Sequence, residues 1–162
     1  RGTAGGYNLM TPKEEKIMNT KNDLMSAITG YMGGRVAEEG FFDDITTGAV
    51  NDIEQATKLA RGMITRYGMS DKFGMVALEA VTGQYMGGDT SLACAGETAA
   101  DIDEMVIELV KQEYNKAEKL LSDNMDKLHE LAKYLYEKET ITGEEFMKIL
   151  NDKTEAMEIE EK

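Results

Sequence analysis

A mainly α fold, a helical bundle, is what this sequence predicts, and three observations predict it. Apolar residues recur at three- and four-residue steps through most of the 162 positions, the spacing that lines one face of a helix. The periodic stretches are bounded by recognisable start and stop signals rather than by Pro-rich linkers, the chain holding one Pro. At 41% hydrophobic residues there is enough apolar side chain to bury a core, which argues against disorder. The length suits one domain with at most a small appendage.

The elements follow in order. Residues 1–12, RGTAGGYNLMTP, read as a short extended segment entered through a Gly-rich turn and ended by Pro12. From Thr20 the pattern is helical, with Leu24, Met25, Ile28, Tyr31 and Met32 on one face behind an Asn22-Asp23 start. Gly33-Gly34 then leaves two alternatives open: the pair breaks this helix, or it lets another backbone approach closely. Thr46, Thr47 and Gly48 form the lead-in loop of the next helix, whose stripe is Ile53, Ala56, Leu59, Ala60, Met63, Ile64 and Tyr67, with Gly68 as a left-handed stop.

Residues 69–97 are irregular and rich in small residues, with a small hairpin expected near 81–87. Thr98 with Asp101 resembles a capping box opening a long helix that carries Ile102, Met105, Val106, Leu109, Val110, Ala117, Leu120 and Leu121. A break at Ser122 to Asn124 precedes a helix with Met125, Leu128, Leu131, Ala132, Leu135 and Tyr136. Thr142-Gly143-Glu144-Glu145 is a fuller capping box for a last short helix with Phe146, Ile149 and Leu150. Residues 152–162 read as an acidic, disordered tail, which leaves 1–151 as the domain.

The formal charge of −13 sets limits on partners, because phosphate backbones and anionic lipid heads are repelled by such a surface. Nucleic acid is therefore an unfavourable partner. No apolar run approaches the roughly 20 residues that span a bilayer, so this piece is expected to be water-soluble even where a parent protein is anchored. Cys94 is the single cysteine, which makes a reducing compartment the simpler expectation and a small apolar packing residue the simpler role. The twelve Met are expected as core filler between helices. Beginning at Arg1 without Met, the chain reads as a fragment of something longer.

Asp52 is the most informative polar position. It lies one step before its helix's apolar stripe, so its carboxylate projects along the edge of the inward face. Two readings stand side by side: an anion in a first turn, stabilised by the helix macrodipole by roughly 0.3–1 kcal/mol, and a hard carboxylate ligand for a metal. Imidazole partners are not at hand, for His129 is the one His and sits between Leu128 and Glu130 as a partly exposed structural residue. One His and one Cys assemble no nucleophilic triad. No Gly cluster continues into Gly-Lys-Ser or Gly-Lys-Thr, so no P-loop is present and no ATP site is expected here. The acid pairs Glu38-Glu39, Asp43-Asp44 and Glu144-Glu145 read as solvated helix faces without catalytic roles.

Taken together and in order, five blocks carry a likeness that none carries alone. They are GGYNLMTP, GGRVAEE at Gly33 to Glu39, TTGAVNDIEQATKLARGMITRYGMSDKFG at Thr46 to Gly74, ETAADID at Glu97 to Asp103, and KAEKLLSDNMDKLHELAKYLYEKETITGEEFMKIL at Lys116 to Leu150. With them the chain resembles the FtsH family of membrane-anchored AAA+ zinc metalloproteases, from Arg1 to about Leu150. The resemblance implies that it is the C-terminal part of the peptidase domain, and that Asp52, the Asp of the Asn-Asp pair, is the third zinc ligand. The family's HExxH helix, with two His ligands and the Glu that activates water, is expected upstream; this sequence contains no HExxH.

The same resemblance implies an ATP-dependent zinc metalloendopeptidase that degrades unfolded, misassembled or regulatory proteins of membrane and cytoplasm. ATP and magnesium would bind an ATPase module outside this chain, and the full-length protein would be a homo-hexamer acting on polypeptide substrates. It would sit in the bacterial inner or plasma membrane through N-terminal helices, with this domain on the cytoplasmic side. By itself the fragment is expected to bind zinc poorly and to hydrolyse nothing, one carboxylate being too few ligands. The alternative is a noncatalytic helical module for oligomerisation or docking.

Overall fold

The computed structural model describes residues 17–42, 44–82 and 89–151. The extended segment expected over residues 1–12 and the acidic tail at 152–162 lie outside them. Five helices and one two-stranded hairpin follow in chain order: α1 (Lys21–Phe42), α2 (Val50–Thr65), β1 (Glu79–Thr82), β2 (Asp89–Leu92), α3 (Gly96–Asp123), α4 (Met125–Lys138) and α5 (Gly143–Asn151). A 3-10 turn, Thr47–Ala49, runs directly into α2. The mainly α expectation holds.

The α1 helix begins at a reciprocal cap that the Asn22-Asp23 reading missed. The Thr20 hydroxyl accepts from the Asp23 N–H at 3.1 Å, and Asp23 accepts from the Thr20 N–H at 2.9 Å. Of the two alternatives at Gly33-Gly34, the helix does not break. It continues to Phe42, because Leu24, Ile28, Met32 and Val36, spaced by four, bury one ridge that straddles the glycine pair. Burial of that ridge outweighs the roughly 1 kcal/mol per residue that Gly costs in a helix interior.

Against this ridge pack Ala56, Ala60, Met63 and Ile64 of α2 and Ile102, Val106 and Ala117 of α3, closing a three-helix core that Leu78 seals from the side. Cys94 packs against the same core, as expected of a small apolar residue. The α2 stripe is narrower than its periodicity suggests. Ile53 is 42% exposed, and Tyr67 lies past the helix end, where its ring covers Gly62 at 3.4 Å from the position a Cβ would take. Gly68, at φ +62°, makes the left-handed stop.

The expected hairpin is real but wider, its strands flanking residues 83–88. Glu79 pairs with Leu92 and Thr82 with Asp89 in an antiparallel ladder. A lone hairpin is marginal in water. This one is tied to the bundle by the Leu78 N–H donating to the Thr65 carbonyl at 2.9 Å and by the Thr65 hydroxyl donating to Glu79 at 2.6 Å.

Two helix starts differ in outcome. The Thr98 box does not form: α3 starts two residues earlier at Gly96, without a side-chain cap, and Asp101 instead pairs with Lys72 at 2.8 Å. An Asp in place of the longer Glu, and an accessible Lys across the bundle, decide that result. The Thr142 box does form, with Glu145 accepting from both the Thr142 N–H (2.8 Å) and its hydroxyl (2.7 Å). The α3–α4 break falls at Asn124, whose amide donates to the Leu120 carbonyl at 2.8 Å.

Candidate metal centre

Asp52 sits in the first turn of α2, half-buried, on the shoulder of the core-facing stripe. Its placement agrees with both sequence readings. What distinguishes it is the company it lacks: no hydrogen bond or ion pair involving it occurs among the described residues. Its oxygens are not among buried unsatisfied atoms, so water reaches them and the carboxylate is open to a further partner.

The segment leading to it is held more firmly than a surface loop of its composition requires. Arg35, on the last turns of α1, reaches across to donate to the Thr46 carbonyl at 2.9 Å and pairs with Glu38 at 3.2 Å. Glu38 in turn accepts from the Thr46 hydroxyl at 2.5 Å and from its N–H at 3.3 Å. The same hydroxyl accepts from the Gly48 N–H at 3.1 Å, capping the 3-10 turn. Thr46 holds the Glu38 carboxyl below the ordinary glutamate range, first by the hydroxyl and then by the backbone bond, with Arg35 assisting. The α2 helix itself has no side-chain cap, so this turn defines where it starts.

Neighbouring Glu39 points elsewhere and accepts from the Tyr114 hydroxyl on α3 at 2.5 Å, which together with burial pushes that phenol up to about 12. The Glu38-Glu39 pair lies at the surface, as expected, but each acid also ties α1 to a different neighbour. Asp44 accepts from the Ile45 N–H at 2.8 Å, while Asp43 lies outside the described residues. In the segment between α1 and α2, Phe42, Ile45 and Val50 are all more than half exposed.

His129 is far from being a ligand in this arrangement. It is exposed on α4 and meets Phe41 edge-on, ring centroids 5.5 Å apart. Among the described residues no group of three or more His, Cys, Asp or Glu side chains is arranged to hold a metal ion. Asp52 is a hard oxygen donor in the first turn of α2, at the positive end of the helix dipole and without a protein partner among the described residues, which is chemistry compatible with a metal ligand.

Sequence reasoning missed the Arg35–Glu38–Thr46 set. The three-residue spacing of Arg35 and Glu38 was legible, but their junction with Thr46 requires the chain reversal between α1 and α2. It also missed Glu113, 1% exposed on α3, which accepts from Thr29 of α1 at 2.5 Å and from Lys116 at 3.3 Å.

Residues 1–149 match the model of peptidase family M41, and the chain belongs to that family. Among curated proteins it is similar to the ATP-dependent zinc metalloproteases FtsH of Caldicellulosiruptor bescii (46% identity, 93% of this chain and 25% of the relative) and Lancefieldella parvula (48%, 90% and 22%). That of Bacillus subtilis is 37% identical over 95% of this chain and 25% of its own length. The chain thus spans about a quarter of the length of these relatives. The family resemblance read from the five blocks is thereby established.

Proposed function

We propose that this chain is the C-terminal part of the peptidase domain of an ATP-dependent zinc metalloendopeptidase, and that Asp52 is a zinc ligand. The observation that carries the assignment is the half-buried Asp52 carboxylate at the head of α2, without a protein partner among the described residues, in a chain of a peptidase family whose similar relatives are zinc metalloproteases by name. Zinc, when bound, polarises a scissile carbonyl and lowers the pKa of its water. The work of this chain's residues is positional. Asp52 contributes a negative oxygen donor on a helix packed into the core, and the exposed apolar side chains of Phe42, Ile45 and Val50 offer a surface for further chain or for an extended polypeptide.

The further parts of the proposal rest on the family resemblance read from the sequence blocks and on general chemistry; the relatives' names supply only ATP dependence, zinc and proteolysis. Two more ligands and a general base come from outside this chain, and ATP with magnesium binds a separate module. The full-length protein works on polypeptides as a homo-hexamer, held at a bacterial inner or plasma membrane by helices outside this segment. Among the described residues no helix is long and apolar enough to cross a membrane. The chain alone hydrolyses nothing.

The test is Asp52→Ala in the full-length protein, which is expected to lose bound zinc and proteolysis together while ATP hydrolysis continues. Retention of both zinc and peptide cleavage would refute the ligand assignment. One observation favours the second reading, a noncatalytic helical interaction module: α5 is amphipathic yet none of its residues is buried. Metal-dependent cleavage that vanishes with Asp52 excludes it as the whole account.

A further inference from the structure

We propose that Thr46 is the positioning residue of Asp52, and that Arg35 and Glu38 act through it. The inference rests on the reading of Asp52 as a ligand and adds how its carboxylate is aimed. Every polar group of Thr46 is engaged: its N–H and O–H donate to Glu38, its carbonyl accepts from Arg35, and its hydroxyl also accepts from the Gly48 N–H. An exposed loop residue ordinarily meets that demand with water and stays mobile. Thr46 meets it with α1, so a loop position acquires the rigidity of the bundle.

From Thr46 to Asp52 there is no loose joint. Thr46 caps the 3-10 turn Thr47–Ala49; the Val50 N–H closes that turn on the Thr47 carbonyl; and Val50 is already the first residue of α2. A displacement of Thr46 is therefore carried to the first turn of α2, and a metal ligand tolerates only about 0.5 Å of misplacement. Gly48 reports on the same clamp. A Cβ there would stand 3.2 Å from the Thr46 hydroxyl oxygen, a tight approach that presses on that hydroxyl, and 3.6 Å from the nearer Glu38 oxygen, an ordinary contact. Arg35 and Glu38 touch no substrate in this scheme, and their only route to the metal is through the backbone that Thr46 anchors.

The experiment uses the full-length protein, with zinc affinity measured by competition against a chromophoric chelator and peptide hydrolysis resolved into kcat and KM. Thr46→Val is expected to weaken zinc binding by about 10–100-fold, the range for residues that orient ligands, and to lower kcat while KM and ATP hydrolysis stay unchanged. Thr46→Ser keeps the hydroxyl and restores both. Gly48→Ala shifts zinc affinity in the same direction as Thr46→Val, by less. Should Thr46→Val lose ATP hydrolysis, showing a general folding defect, Gly48→Ala and Arg35→Lys decide by the same zinc measurement. Unchanged zinc affinity in Thr46→Val, with zinc lost in Asp52→Ala, overturns the positioning role and leaves the ligand assignment standing. Zinc retained in Asp52→Ala overturns both.

Discussion

Glu38 and Glu39 are adjacent in sequence and hold different elements, one gripping the lead-in to α2 and the other α3. Glu145 works differently again, closing the α5 cap through Thr142 and accepting from the Tyr134 hydroxyl of α4 at 2.9 Å. The backbone N–H and hydroxyl of Thr142, then Tyr134, hold its carboxyl below the ordinary glutamate range. Because the folded value lies below the unfolded one, its contribution is complete above the usual glutamate pKa and is lost as pH falls through the lowered value. We expect amide-exchange protection in the first turn of α5 to fall on acidification through that window. In Glu145→Gln this pH dependence should flatten. An unchanged pH response in the variant would mean that other carboxylates govern α5.

Among the elements, burial separates the three-helix core from its appendage. Ile28 is fully buried in the α1 ridge, whereas Phe146 on α5 is 40% exposed. Chemical denaturation should register Ile28→Ala as a loss of about 2–5 kcal/mol, transfer and cavity costs together. Phe146→Ala should cost about 1 kcal/mol or less, because its side chain leaves water only in part. Equal losses at the two sites would contradict the division drawn here. The glycine pair in α1 belongs to this scale too. Local propensity at Gly33-Gly34 disfavours helix, and only the ridge on either side of the pair, packed on α2 and α3, explains why the helix runs through.

For the molecule as a whole, the same division predicts a gradient of stability. The core draws on α1, α2 and α3, while α4 buries Leu131 alone and α5 buries nothing. Native-state amide exchange should therefore find the highest opening free energies in the core-facing residues of α1, α2 and α3, and lower values in α4 and α5. Uniform protection across all five helices would show that α4 and α5 unfold only with the core. The proposed site lies at the protected end, since α2 is a core helix and its lead-in is tied to α1.

Helix content, most helix faces, the Gly68 stop and the Thr142 cap were legible because each depends on residues within a few positions of one another. The family was legible for a related reason, since short blocks in a set order survive in the linear string. Asp52 could be placed at a helix head by spacing, but its two readings could not be separated, because whether a carboxylate finds a partner depends on what folds against it. The tertiary structure alone decided that α1 passes through its glycines, that Asp101 leaves its cap for Lys72, that Glu113 is buried against Thr29, and that Thr46 is held by Arg35 and Glu38. Each of these is a contact between residues brought together by a chain reversal, and a sequence read along one dimension carries no distance across such a turn.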